Sequence, residues 1–231
     1  LAERPKVEQL ISAELAELRE RYSTPRRSTI EDEYEELSDQ DLTTREQCII
    51  VQSVRGFVKR MPLDEFEEQG RGTRGKAGMS NLGTGDAVLR IFTCSTHHTI
   101  LCISERGIAY ALPAFHFPAA SRTARGVLMQ QLLTITEDEV IAQLLPVSDF
   151  CESLFLVLLT RHGWIKKTPL RAFANITARG LIAASLGEGD ALVHAALCTA
   201  DDSVMLSSRH GQALRFLADA KQLRASGRAS R

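Results

Sequence analysis

One four-residue pattern recurs along the chain and restricts its architecture more than any other feature: Ser53-Val54-Arg55-Gly56, Ser104-Glu105-Arg106-Gly107, Thr160-Arg161-His162-Gly163 and Ser208-Arg209-His210-Gly211. The glycines stand 51, 56 and 48 residues apart. A period in this range marks an array of small sheets, each of which must stack on its neighbours to bury its apolar faces. Before each pattern lies an apolar, β-prone run (Cys48–Val51, Thr99–Ile103, Leu154–Leu159, Ser203–Leu206). After it lies another (Phe57–Arg60, Ile108–Leu112, Trp164–Lys167, Gln212–Phe216). Two such runs around a glycine turn predict one hairpin per unit.

Further punctuation repeats in step. Six residues past the first three turn glycines come Pro62, Pro113 and Pro169, which have no N–H for a sheet ladder and so end their strands. An aromatic follows, read as Phe66, Phe115 and Phe173. Loops of shared composition come next: Thr73-Arg74-Gly75-Lys76, Thr123-Ala124-Arg125-Gly126-Val127 and Thr177-Ala178-Arg179-Gly180-Leu181, with Gly227-Arg228 as the partial version in the fourth unit. One more strand per unit opens after Gly85-Asp86, Glu137-Asp138 and Gly189-Asp190, where an acid before an apolar run reads as ordinary turn chemistry.

The first of those loops belongs to the richest stretch in the chain, Gln69-Gly70-Arg71-Gly72-Thr73-Arg74-Gly75-Lys76-Ala77-Gly78. Glycines let the backbone approach an anion closely, and the cations beside them make the loop a candidate phosphate cradle. Charge is divided unevenly. Residues 1–44 carry 6 Lys/Arg against 12 Asp/Glu, whereas the rest carries 22 against 17. The body is therefore basic and the head acidic, which points to a basic working surface attached to an acidic lead-in segment.

In the head, Pro5 opens a helical pattern with Val7, Leu10, Ile11, Leu15, Leu18 and Tyr22 on one side. Residues 23–44, with Glu31-Asp32-Glu33-Tyr34-Glu35-Glu36, read as an acidic linker. Five cysteines without a CxxC pair argue against a disulfide framework and for a reducing compartment. The longest apolar run, Leu154–Leu159, is far too short to span a bilayer as a helix. Leu1 is not an initiator, so the chain reads as a piece of a longer one.

The residues resemble the C-terminal DNA-wrapping domain of the DNA gyrase A protein, with its topoisomerase IV counterpart as a relative, over nearly the whole chain. Ser53–Leu63 resembles the family's first-blade hairpin, Gln69–Gly78 its signature box and Pro5–Ile30 the end of the coiled-coil arm that leaves the breakage-reunion domain. The box departs from the usual Gln-Arg-Arg-Gly-Gly-Lys-Gly in the spacing of its cations. What the resemblance implies is an all-β, propeller-like β-pinwheel over residues 45–231, of about four repeats with the last incomplete, preceded by one N-terminal helix over residues 1–22. It further implies a module that bends duplex DNA around a basic rim for ATP-dependent negative supercoiling. The implied partners are double-stranded DNA, the gyrase B protein, which would hold ATP and Mg²⁺, and a second gyrase A protein joined through other domains. The implied location is the cytoplasm of a bacterium, at the nucleoid, or an organelle. No match to the family's catalytic-tyrosine motif occurs, so the chain is expected to bind DNA and not to cleave it.

Matching positions in successive units nominate the cations of that rim: Lys59, Arg60, Lys166, Lys167 and Arg215 after the turn glycines, Arg125 and Arg179 in the loops, and Arg71, Arg74 and Lys76 in the box. A protein-binding propeller is the main rival, and cations on one edge of successive units favour a duplex over a peptide. A zinc site at Cys94, His97, His98 and Cys102 is disfavoured because the cysteines fall within strands and the histidines in the turn between them. A hydrolase built on Ser208, His210 and His162 lacks a nucleophile elbow and, on the sequence, an orienting acid.

Overall fold

A computed structural model describes residues 3–30, 39–65, 79, 82–136 and 138–230. The chain divides into two units, Leu1–Ser38 and Asp39–Arg231. In the first, α1 (Arg4–Tyr22) starts with Pro5 in its first turn and buries none of its residues. Leu10, Ile11, Leu15, Leu18 and Tyr22 are exposed. Arg4–Glu8 and Glu17–Arg21 pairs, at 3.2 and 3.3 Å, run along its surface. No described helix is long and apolar enough to cross a membrane.

The second unit is built of strands, β1 (Gln47–Ser53), β2 (Phe57–Pro62), β3 (Val88–Ser95), β4 (Thr99–Ser104), β5 (Ile108–Pro113), β6 (Val127–Leu128), β7 (Ile141–Val147), β8 (Phe155–Thr160), β9 (Ile165–Pro169), β10 (Leu181–Ile182), β11 (Leu192–Cys198), β12 (Ser203–Ser207) and β13 (Ala213–Leu217). One four-residue helix, α2 (Met129–Leu132), follows β6 and was not expected from the sequence. Residues at the end of the linker as read from the sequence join this unit. The Thr96 hydroxyl donates to the Thr44 carbonyl at 2.8 Å, and His97 Nε2 lies 3.1 Å from the Gln40 carbonyl.

Each repeated pattern closes a hairpin in the same way. The glycine N–H donates to the carbonyl three residues earlier (Gly56 to Ser53, Gly107 to Ser104, Gly163 to Thr160, Gly211 to Ser208). The hydroxyl of that same Ser or Thr accepts the N–H one residue past the glycine, at 3.1–3.3 Å. This explains why every copy begins with Ser or Thr and ends with glycine. Pro62, Pro113 and Pro169 are the last residues of β2, β5 and β9, as expected.

The sheet orders are β3-β1-β2-β6, β10-β5-β4-β7, β11-β8-β9 and β12-β13. In each of the first three units a further strand returns antiparallel to its own hairpin: β3 to β1, β7 to β4 and β11 to β8. The fourth strand does not stay at home: β6, from the second unit, pairs with β2 of the first, and β10, from the third, pairs with β5 of the second. The second and third units thus each lend a short strand to the sheet before them.

Because the sheets stack, both faces of a central strand are buried, and alternate residues enter different cores. Ile100 and Cys102 pack toward the first sheet with Ile50 and Val58, whereas Leu101 and Ile103 pack toward the third with Leu156 and Leu158. Val157, between the last two, faces the fourth sheet with Ala218 and Phe216. In the second and third units a buried aromatic lies four residues after the strand-ending proline, while Phe66, at the same spacing in the first, lies outside the described residues. In the second unit that aromatic is Phe117, buried like Phe173. The reading of Phe115 is therefore corrected: Phe115 lies against the edge of His116.

Candidate nucleic-acid interface

Nine of the ten nominated cations fall into three groups, and Arg60 stands apart. Arg71, Arg74 and Lys76 lie outside the described residues. Lys59, Lys166 and Lys167 are buried, so their expected place on the rim is corrected. Lys59 Nζ donates to the carbonyls of Ser121, Arg122 and Ala124 at 2.9, 2.7 and 2.9 Å. Lys166 Nζ repeats this with Gly227, Arg228 and Ser230 at 3.0, 2.5 and 2.9 Å. Both stand three residues past a turn glycine, on a strand face covered by the next unit's loop. An ammonium has three donors and no acceptor, which fits three converging carbonyls. Burial lowers the Lys59 pKa, against the pull of the Glu65 carboxylate, and burial brings Lys166 down to about 8. Lys167 donates to the Ala218 carbonyl and lies 4.6 Å from the Phe155 ring centroid.

The two clips also correct the alignment of the fourth unit. Gly227 and Arg228 occupy the places of Ser121 and Arg122, not those of Arg125 and Gly126. In the second unit the lysine is replaced by Tyr110, whose hydroxyl donates to Glu139 at 3.1 and 3.2 Å. Its ring packs so closely on Gly180 that a Cβ there would meet it at 2.6 Å.

The third group, Arg125, Arg179 and Arg215, is exposed. Arg60 is half-buried, its Nε 3.3 Å from the Phe117 carbonyl, and Arg215 reaches the Ser203 hydroxyl at 3.2 Å. The most developed geometry surrounds Arg125. Its guanidinium stacks 3.8 Å from the centroid of the Phe57 ring, and its Nη2 comes within 3.7 Å of where a Cβ on Gly83 would sit. Arg55 Nη1, from the first turn, lies 3.6 Å from that same point. Two cations from different units therefore converge over one glycine. Arg55 is steadied by donating to the Thr84 carbonyl at 2.7 Å.

Turn arginines escaped the sequence reading as site residues, although Arg55, Arg106, Arg161 and Arg209 recur one or two places before the turn glycines. That recurrence was the available signal. All four lie at the same end of successive hairpins, and Arg55, Arg106, Arg161 and Arg209 are exposed there. Arg106 pairs with Asp138, while Arg161 and Arg209 line one open groove of about 890 Å³ between the third and fourth sheets. The acids before the third strands brace these turns. Asp86 Oδ1 accepts the N–H groups of Arg55 and Ala87, both at 3.0 Å, and Asp190 Oδ1 those of His162 and Ala191. Burial opposes the Asp86 charge, but hydrogen bonds from Arg55, Ser53 and Ala87 hold its carboxyl below the usual carboxylate range.

The rival sites are less developed. Asp190 lies 3.8 Å from His162 Nδ1, an acid the sequence did not place, but the gap exceeds a hydrogen bond and the Ser208 hydroxyl caps its own turn. Cys94 faces Cys48 across β1–β3 with the sulfurs 3.6 Å apart. Among the described residues no three His, Cys, Asp or Glu side chains are grouped as metal ligands.

Stacked small sheets that exchange their edge strands, with arginines at one end of every hairpin, define a propeller-like repeat protein. The family model described as the DNA gyrase C-terminal domain, beta-propeller, matches residues 49–95, 98–148, 155–199 and 202–231, and the chain belongs to that family. The DNA gyrase A protein of Synechocystis sp. is 45% identical over 231 residues, which is 100% of this chain and 27% of that protein. The chloroplastic/mitochondrial DNA gyrase A protein of Arabidopsis thaliana is 39% identical over 212 residues, 91% of this chain and 22% of that one. The chain thus spans about a quarter of the relatives' length. In fold it is similar to the crystal structure of the C-terminal domain of DNA topoisomerase IV (TM-score 0.65, 22% identity, 81% of this chain and 56% of that one). It is also similar to a DNA gyrase A C-terminal domain (TM-score 0.61, 22% identity, 80% and 58%).

Proposed function

We propose that Asp39–Arg231 binds double-stranded DNA through the turn-and-loop end of its sheets and bends it, as the wrapping module of a DNA gyrase A protein. The observation that carries this reading is the convergence of Arg55 and Arg125 at Gly83, where two guanidinium groups can share one phosphate. Contacts of this kind read the backbone, giving affinity with little base specificity and a steep dependence on salt. Bending about 20–30 base pairs by up to about 90° costs about 1–6 kcal/mol, which several such contacts offset. Relatives at 38–45% identity are named as the A protein of DNA gyrase, which favours gyrase over topoisomerase IV.

On this reading the bend gives strand passage its direction in ATP-dependent negative supercoiling. Strand cleavage belongs to other domains of the gyrase A protein, and ATP with Mg²⁺ to a gyrase B partner. The assembly would work in the cytoplasm at the nucleoid, or in an organelle. Arg71, Arg74 and Lys76 of the box would clamp the wrapped segment in the first unit.

The test is to relax circular DNA under saturating protein and compare linking numbers. The parent should shift them, and the Arg71→Ala, Arg74→Ala, Lys76→Ala variant should bind while shifting them less. A parent that ignores a mixed-sequence duplex at low salt would sink the DNA reading in favour of a protein-binding scaffold. A variant that shifts linking number as far as the parent would sink the role of the box.

A further inference from the structure

We infer that Lys59, a residue that cannot reach DNA, is a positioning residue for DNA binding: its ammonium holds the next unit's loop so that Arg125 is presented beside Arg55 as a phosphate seat. The inference rests on the DNA-binding reading above and names the element that makes its site.

The loop is attached on both sides of Arg125. Before it, Lys59 Nζ holds the Ser121, Arg122 and Ala124 carbonyls, and the Arg122 N–H donates to Glu65 at 3.1 Å. After it, Val127 pairs with Val58, and Gly126, at φ +84°, lies so close to the Val58 carbonyl that a Cβ would meet the oxygen at 2.3 Å. Only Arg125 and Gly126 stand between the clip and the ladder. The outward course of Arg125 over Phe57 follows from those two anchors. An arginine held in its bound position loses less freedom when it meets a phosphate, so the clip contributes affinity without contact.

Chemistry agrees with this role. Three carbonyls turned inward from one loop need donors: that of Ser121 also accepts the Ala124 N–H at 3.1 Å, but an apolar residue at position 59 would take away the donor on which those of Arg122 and Ala124 rely. The geometry recurs at Lys166, with closely similar spacing of acceptors. In the second unit it is replaced by the Tyr110 ring on Gly180, which seats the loop that carries Arg179. The chain therefore contains its own control, because the loop of Arg179 does not depend on a lysine clip.

The experiment is a titration of the full chain with a mixed-sequence duplex across a salt series, comparing the parent, Lys59→Met, Arg125→Ala and Arg179→Ala, alone and paired. With Lys59→Met the log–log salt slope should fall by about 0.9, one phosphate contact, although position 59 is internal. Adding Arg125→Ala should then change nothing further, whereas adding Arg179→Ala should still lower the slope by about 0.9. A folded Lys59→Met protein with the parent's slope overturns the inference, as does an Arg125→Ala drop that is undiminished in its background. Should Lys59→Met not fold by circular dichroism, Lys59→Gln, which keeps two donors, is read by the same criteria. A parent that binds no duplex removes the DNA reading itself, an outcome distinct from a parent that binds while the Lys59 variant matches it.

Discussion

The guanidinium of Arg125 rests 3.8 Å from the centroid of the Phe57 ring, although the two residues belong to different repeats. The contact exists because β6 crosses to the preceding sheet and pairs Val127 with Val58, bringing the second unit's loop over the first unit's strand. Cation–π stacking of this kind orients the guanidinium while leaving its N–H groups free for an acceptor in solvent.

Arg55→Ala and Arg125→Ala should each weaken duplex binding and reduce the log–log salt slope by about 0.9. Arg125→Lys should keep the charge but lose the planar stack, and so recover only part of the affinity. Titration at several salt concentrations checks both. Full recovery by lysine would mean that the stack on Phe57 has no part in binding.

Gly126 and Gly56 share nearly the same φ, +84° and +85°, but differ in surroundings. Gly56→Ala meets no atom within 4 Å and should cost only the left-handed strain of an L-residue, about 1–2 kcal/mol. Gly126→Ala carries the same strain and also drives a methyl into the Val58 carbonyl, so it should destabilise more and release β6. Urea midpoints of the two variants give the comparison. Equal losses would count against the close approach of β6 to β2.

Tyr110→Phe should destabilise the protein by about 1–3 kcal/mol, because the buried Glu139 carboxylate loses the hydroxyl that donates to both its oxygens. The Tyr110 pKa is itself pushed up to about 12, by burial first and then by the Glu139 charge. Chemical denaturation of parent and variant measures the effect. A neutral substitution would show that Glu139 finds another donor.

The Lys166 ammonium has a pKa of about 8 in the fold, against an ordinary value of 10.5 for the unfolded chain. Between those values the unfolded chain holds the proton that the folded one has released, so stability contributed at this position rises with pH through that window. Relative to Lys166→Met, the parent should gain stability from about pH 7.5 to about pH 9.5. Parallel urea titrations at the two pH values supply the test, and a difference that does not change, or that moves the other way, contradicts it.

Much of the architecture could be read from local signals. Turn glycines, the Ser or Thr before them, strand-ending prolines and unbroken apolar runs act within a few residues, so hairpins, period and all-β class followed from the order of residues alone. The head helix followed for the same reason, from Pro5 and the spacing of Leu10, Ile11, Leu15 and Leu18. What could not be read depends on partners more distant in the chain, such as the carbonyls of Ser121, Arg122 and Ala124 around Lys59. Lys59 and Arg125 carry the same charge, yet one is internal and the other exposed. The difference lies in a cradle of backbone carbonyls, and carbonyls are common to every residue, so no side-chain pattern announces them. Likewise, Val127 follows a glycine much as Leu181 does. That both pair backward into the preceding sheet was settled only when stacking left the edges of β2 and β5 to be filled.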